Sequence, residues 1–341
     1  MRRLFSTALV GLGAFLIMAA VLVKFYAHPS LATMPTNYES TTELQAIGAT
    51  IFDAGTLEPV TSDLAISSYT VADSEVSAPE GVDVWVNRTS IVRSDVEGAT
   101  CDPAVDAALP GCFQQSSERV PFDAQTGAAA ACPDCGSYVD ESYVDGDSYA
   151  VRQVEVSRSG QVYKGPFDMT KEDLQWWDAA IGEATTMEYV GTESIDGLET
   201  YKYVQTIEPT EIGTQDLPGS VFGTTEDTVT ATTVYSMVRT MWFEPTTGAP
   251  VQRVEDRNQV FEADGQQVPA FVGTVEYTPE TVSDLVSDGK SQSFLLGGMV
   301  WLFPIALVVI GLAAIAGGLQ LRRGRRDRGD HSADDRELVT A

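Results

Sequence analysis

Two long apolar runs bracket a chain whose interior otherwise tends to alternate between hydrophobic and polar positions. Residues 4–23 (LFSTALVGLGAFLIMAAVLV) and 294–321 (FLLGGMVWLFPIALVVIGLAAIAGGLQL) hold no charged residue, and each meets the ~20 apolar residues a helix needs to cross the hydrocarbon core. Both predict membrane-spanning helices. The first run has a second reading, a signal peptide cleaved near Ser30, Leu31 and Ala32. It outlasts the ~7–15 residues of a signal core and reads better as an uncleaved anchor. The chain thus divides into an N-terminal anchor (1–26), a large domain (27–293), a C-terminal span (294–321) and a basic tail (322–341).

Within the large domain the period is two. Residues 82–92 (VDVWVNRTSIV) open with the strict alternation of a half-buried strand, and the short apolar runs of 41–72 also fit strands. Residues 149–163 alternate on either side of Ser159-Gly160 and predict a hairpin. Residues 186–207 predict another, turning at Asp196-Gly197, where glycine supplies the positive φ of a tight turn. Residues 229–277 add three or four strands, with turns at 244–248 (EPTTG) and 263–265 (ADG). Helix signals are few. One covers 171–181 behind Thr170, and one covers 279–286, where Thr278 caps, Pro279 takes the first position and Glu280 faces the positive end of the dipole. Residues 95–147, rich in Ala, Gly, Asp, Pro and Ser, read as a long irregular excursion. The expected fold class is mainly β with a few helices (α+β): an antiparallel β-rich ectodomain, with barrel-like closure as one form open to it, between two transmembrane helices.

Charge orients this plan. Residues 27–293 hold 12 Lys and Arg against 44 Asp and Glu, a formal charge of −32 in a chain of −28. Arginine gathers instead beside the spans, as Arg2 and Arg3 at one end and Arg322, Arg323, Arg325, Arg326 and Arg328 at the other. Positive residues next to spans stay on the cytoplasmic side. The expected topology is a two-pass plasma-membrane protein with both termini cytoplasmic and the large domain outside. So acidic a domain repels nucleic acid, which is excluded as a partner. Cys101, Cys112, Cys132 and Cys135 all fall in the exported segment, where two disulfides are expected. Cys101 with Cys112 and Cys132 with Cys135 is the simplest of three connectivities. The acidic run at 139–149 (VDESYVDGDSY) lacks the spacing of a calcium loop, so no metal or cofactor is assigned.

Catalytic signals are sparse. The two histidines, His28 and His331, lie outside the body of the domain, which removes Ser-His-Asp, Cys-His and His-based zinc chemistry there. A carboxylate pair of the glycosidase kind has no sequence signature, and the protein is expected not to be an enzyme. The densest aromatic stretch, YKGPFDMTKEDLQWWD, nominates Tyr163, Phe167, Trp176 and Trp177 as ligand-binding candidates. The competing reading places Trp176 and Trp177 in the core. Asn87-Arg88-Thr89 matches a glycosylation triplet. Ala313 and Gly317 form a small-xxx-small pair through which the spans could touch.

The order of an N-terminal anchor, YKGPFD at 163–168, Trp177-Asp178, IDGLETY at 195–201, WFEPTTG at 242–248 and a closing anchor resembles an actinobacterial envelope family of unknown function, often labelled porin A. The label implies a pore. Two apolar helices around a β-rich ectodomain oppose the usual outer-membrane barrel, which crosses with strands. In topology the chain is similar instead to class B scavenger receptors, which pass lipids through an ectodomain tunnel. That likeness implies a protein that binds a membrane lipid or lipoglycan and conducts it outward. The alternative is a non-catalytic scaffold or regulator of envelope biosynthesis proteins.

Overall fold

The computed structural model describes residues 2–102, 104–106, 108–145 and 148–323, with residues 2, 3, 142–145, 148–150 and 323 described by their backbone alone. Two compact units result, one formed by the chain ends (Met1–Ala32 with Gln292–Ala341) and one by Thr33–Ser291.

In the first unit, α1 (Arg2–Leu22) continues through a π turn (Val23–Ala27) into α2 (His28–Leu31). It packs against α4 (Leu302–Arg323). Leu4–Leu31 and Leu302–Arg322 are both long and apolar enough to span a membrane. Their contact is a seven-residue repeat of compact residues: Ser6, Gly13 and Ala20 are buried on α1, and Pro304, Gly311 and Gly318 on α4. Ser6 Oγ donates to the Gly318 carbonyl at 2.6 Å. A Cβ on Gly311 would stand 2.8 Å from the Gly13 carbonyl, so only glycine admits this approach. The expected pair Ala313 and Gly317 is not the contact, since Ala313 is exposed and Gly317 has open space beside it. The closing span is not one continuous helix either. α3 (Pro279–Val300) ends before Trp301, because Pro304 has no N–H to donate to the Val300 carbonyl.

The second unit carries a single antiparallel sheet of twelve strands: β1 (Glu39–Asp53), β2 (Glu58–Ala72), β3 (Val82–Arg93), β4 (Cys112–Asp123), β5 (Tyr138–Asp145), β6 (Ser148–Glu155), β7 (Leu174–Asp178), β8 (Glu183–Ile195), β9 (Leu198–Leu217), β10 (Val229–Phe243), β11 (Pro250–Ala263) and β12 (Gln266–Tyr277). The ladder order is β6-β5-β4-β3-β2-β1-β12-β11-β10-β9-β8-β7. Two six-strand meanders therefore meet at the β1–β12 pair, and the edge strands β6 and β7 are neighbours in sequence.

The sheet is not closed into a barrel. Where a closing ladder would run, Gln161 pairs with Trp176 of β7 on one side and with Ala128 on the other, and Ala129 pairs with Phe122 of β4. The connecting segment between the edge strands thus lies along the seam. Gly160, at φ 69°, brings its backbone against Gln175 of β7, a conformation that a side chain would not tolerate.

Several local expectations hold. The β8–β9 turn is Asp196-Gly197, at φ 47° and 83°, and Thr278 Oγ1 accepts from the Thr281 N–H at 3.2 Å as α3 begins. Three others give way. Residues 171–181 hold the short strand β7 (Leu174–Asp178) rather than a helix, because that strand is captured by Met187–Glu183 of β8. No hairpin turns at Ser159-Gly160; β6 pairs back onto β5 instead. The expected excursion 95–147 contains β4 and β5. Tertiary pairing overrides local pattern in all three.

Candidate binding chamber on the concave face of the sheet

β10 buries alternate residues throughout its length: Val229, Ala231, Thr233, Tyr235, Met237, Arg239, Met241 and Phe243. An arginine in such a row needs partners, since a buried unpaired charge is strongly disfavoured. The register supplies them. Arg239 lies opposite Gln205 of β9 and opposite Glu255 of β11. Its Nε donates to Glu255 and its Nη1 to the Gln205 amide oxygen, while Nη2 donates to Asp178 Oδ2 at 3.1 Å. Arg253 Nε donates to the same Glu255 carboxylate at 2.8 Å. Gln205 passes the network on, donating to the Trp176 carbonyl at 2.9 Å and to Thr185 Oγ1 at 2.8 Å.

This cluster sits deep, with Asp178 2%, Glu255 4% and Arg239 8% exposed. Burial by itself would raise the Glu255 pKa, but the Arg239 and Arg253 guanidiniums outweigh it and hold the carboxyl well below its ordinary range. Burial likewise pushes the Tyr235 hydroxyl well above its usual value, with the Asp178 carboxylate adding to the effect.

Above the network opens a chamber of about 370 Å³. Gln114 and Ser116 of β4 border it, as do Tyr235 and Arg239 of β10, although five strands separate β4 from β10 in the ladder. The sheet must curl until those strands face one another. The lining has three chemistries: apolar (Leu44, Ile66, Ile91, Phe271, Val275), charged (Asp178, Arg239, Arg253, Glu255, Arg257) and uncharged polar (Ser68, Thr89, Gln114, Ser116).

The sequence matches the family described as Porin PorA over residues 5–320. The chain belongs to the porin PorA family. A relative named Porin PorA from Corynebacterium resistens is 24% identical over 227 residues, covering 62% of this chain and 54% of that protein. The chain thus matches about half the length of that relative. Another of the same name, from Corynebacterium amycolatum, is 22% identical over 389 residues, covering 94% of this chain and 99% of its own. Together with the two apolar helices, membership marks this as a membrane protein.

The four aromatic candidates do not gather into one groove. Tyr163 packs near Trp85 and Phe122, with centroids 5.3 and 6.0 Å away, and donates its hydroxyl to Glu118 at 3.0 Å. Phe167 lies under Lys164, whose Nζ is 3.7 Å from the ring centroid. Trp176 is buried with Met187, Tyr203 and Phe243, and its neighbour Trp177 is 9% exposed with an indole N–H that finds no acceptor among the described residues. The cysteines pair as Cys101–Cys112 and Cys132–Cys135. Asn87 is half-buried and donates to Ser68 and Thr70 within the β2–β3 pair, so its amide is engaged in the sheet. Arg322 donates to Thr7 Oγ1 at 3.0 Å. Arg325, Arg326 and Arg328 lie outside the described residues, as do the side chains of Arg2, Arg3 and Arg323. Among the described residues no cluster of three or more His, Cys, Asp or Glu is arranged to hold a metal.

Sequence reasoning passed over Arg239, Arg253, Glu255 and Arg257. For the three on β11 the signal was parity: along 253–261 the odd positions read Arg, Glu, Arg, Gln, Phe. The charges share a face with Phe261, while Val251 sits in a bulge opposite Trp242 and Phe243 and packs with Trp242 instead.

Proposed function

We propose that this chain is a two-pass envelope protein of the plasma membrane, with both termini cytoplasmic, whose outer β-rich domain binds or passes outward a lipid or lipoglycan. The observation that carries the reading is the mixed lining of the chamber, where an apolar patch meets guanidinium and hydroxyl groups. A volume of about 370 Å³ falls at the low end of small-molecule sites, ~300–1,000 Å³. It suits a headgroup or glycan end, leaving acyl chains outside. The arginines flanking the spans support cytoplasmic termini.

The name borne by the relatives favours a second reading, a channel walled by the curled sheet. Scaffolding of envelope biosynthesis proteins is the third. Native mass spectrometry with lipid extraction, on the full chain purified in detergent from an actinobacterial host, separates them. A lipid or lipoglycan bound at one per chain is the expected result. A clean apo mass, with no uptake of offered envelope lipids, refutes the carrier. Single-channel steps in a planar bilayer would then favour the channel, and co-purifying proteins the scaffold.

A further inference from the structure

The chamber contains three guanidiniums, Arg239, Arg253 and Arg257, and two carboxylates, Asp178 and Glu255. Arg239 and Arg253 are matched by those two acids. Arg257 is not. Its Nη2 donates to the Gln259 amide oxygen at 2.9 Å, its Nε is buried without a hydrogen-bond partner among the described residues, and no carboxylate there pairs with it. Its guanidinium lies 5.5 Å from the Tyr235 ring centroid and 5.1 Å from that of Phe271. Arg257 is thus a half-buried cation held against two rings with no carboxylate to balance it, which leaves its charge to be met from the chamber.

A second cavity shows the contrast. It measures about 320 Å³ and includes Arg93, but Asp53 and Asp95 both pair with that arginine, at 2.9 and 2.8 Å. No positive charge is left over there. In a domain of formal charge −32, the Arg257 chamber is a local inversion of sign.

We propose that this chamber is a binding site for a singly charged oxyanion carried on a polyhydroxyl group, such as a phosphodiester or a uronate. The surplus of one positive charge sets the charge of the ligand. The planar fork of Arg257 presents paired donors to the two free oxygens of either group. The exposed Ser116 and Gln114 offer groups that both donate and accept, which suits neighbouring hydroxyls, while Ser68 and Thr89 are engaged with Asn87 and each other. The Ser116 and Gln114 side chains have no partner among the described residues. This deepens the lipid or lipoglycan reading and rests on it for the biological source of the ligand.

The test is calorimetric titration of the full chain in detergent with glycerophosphoglycerol and with glucuronate, using glycerol and glucose as neutral controls. Binding of at least one charged probe is expected, with the one that binds identifying the anion, and R257Q should weaken it at least about tenfold, the loss of one charge-assisted contact. R257K, which keeps the charge and loses the fork, should fall between. Thermal melts of both variants establish that they fold. Failure of both charged probes, equal binding of the neutral ones, or unchanged affinity in folded R257Q overturns the site. A lipid that co-purifies equally with wild type and R257Q would spare the lipid reading while refuting this one. Charged-probe binding with no co-purified lipid would do the reverse.

Discussion

Replacing Glu255 by glutamine keeps the shape of the side chain and removes the charge on which two guanidiniums depend. Arg239 is 8% exposed and donates its Nε to Glu255, and Arg253 reaches the same carboxylate with both Nε and Nη2. Breaking a buried pair from one side leaves an uncompensated charge and costs about 3–5 kcal/mol. For a unit of roughly 260 residues, an unfolding entropy of ~2.1 cal/mol/K per residue gives ~0.5 kcal/mol/K, and hence a Tm lower by about 6–10 °C. The pH dependence is a second handle. Because the folded state holds Glu255 below its ordinary value of 4.5, its contribution is present above that pH and is lost as pH falls below it toward the native pKa. The gap in Tm between wild type and E255Q should therefore be widest near pH 7 and shrink steadily below about pH 4.5. Scanning fluorimetry of the full chain in detergent between pH 3.5 and 7 reads both effects. A variant melting within about 2 °C of wild type at pH 7, or a gap that does not narrow toward pH 3.5, would refute the reasoning that this network is stabilised by mutual charge pairing.

Other perturbations follow from the same coordinates. C101A/C112A removes a cross-link spanning 11 residues, which should cost about 3 kcal/mol through the freed unfolded chain and lower Tm by about 5 °C in the same melts. Lys164 is 3% exposed, and burial, opposed by Asp123, brings its pKa down from 10.5 to about 7. A folded state that sheds this proton early gains stability as pH rises from 7 to 10.5. Urea titrations should show that rise in wild type, its loss in K164M, and greater stability of K164M at pH 6. G311V should push the spans apart, since its Cβ would stand 2.8 Å from the Gly13 carbonyl and 3.0 Å from Ile17 Cγ1. Spin labels on the exposed Leu12 and Leu312 should read a separation longer by about 1–2 Å, toward the ~8–10 Å of ordinary helix packing.

The two spans, the β-rich domain between them, the turn at Asp196-Gly197 and the start of α3 were legible because each rests on local physics. An apolar run without charges has one stable environment, and a glycine at positive φ or a threonine before a helical proline acts within a few residues. The paired cysteines were legible for the same reason of proximity. Short and ambiguous segments were not. Residues 171–181 carry a helical cap and still become β7, because the partner strand β8 supplies the ladder that decides between the two conformations. The contact between the spans lay in a seven-residue spacing that shows only when the helices are set side by side.

The chamber was the least legible part, for a reason of scale. Arg239 and Arg257 acquire opposite roles: Arg239 is matched by carboxylates 16 and 61 residues away in sequence, through a register that places Glu255 opposite it, and Arg257 is left over. The amino-acid order by itself determined a membrane-anchored, acidic, mainly β protein, because hydropathy, charge and turn geometry act over short distances. Only the tertiary structure decided that the sheet stays open, that its seam is lined by Gln161, and that β4 faces β10 around a pocket with one surplus positive charge, because curvature and long-range pairing are properties of the whole sheet.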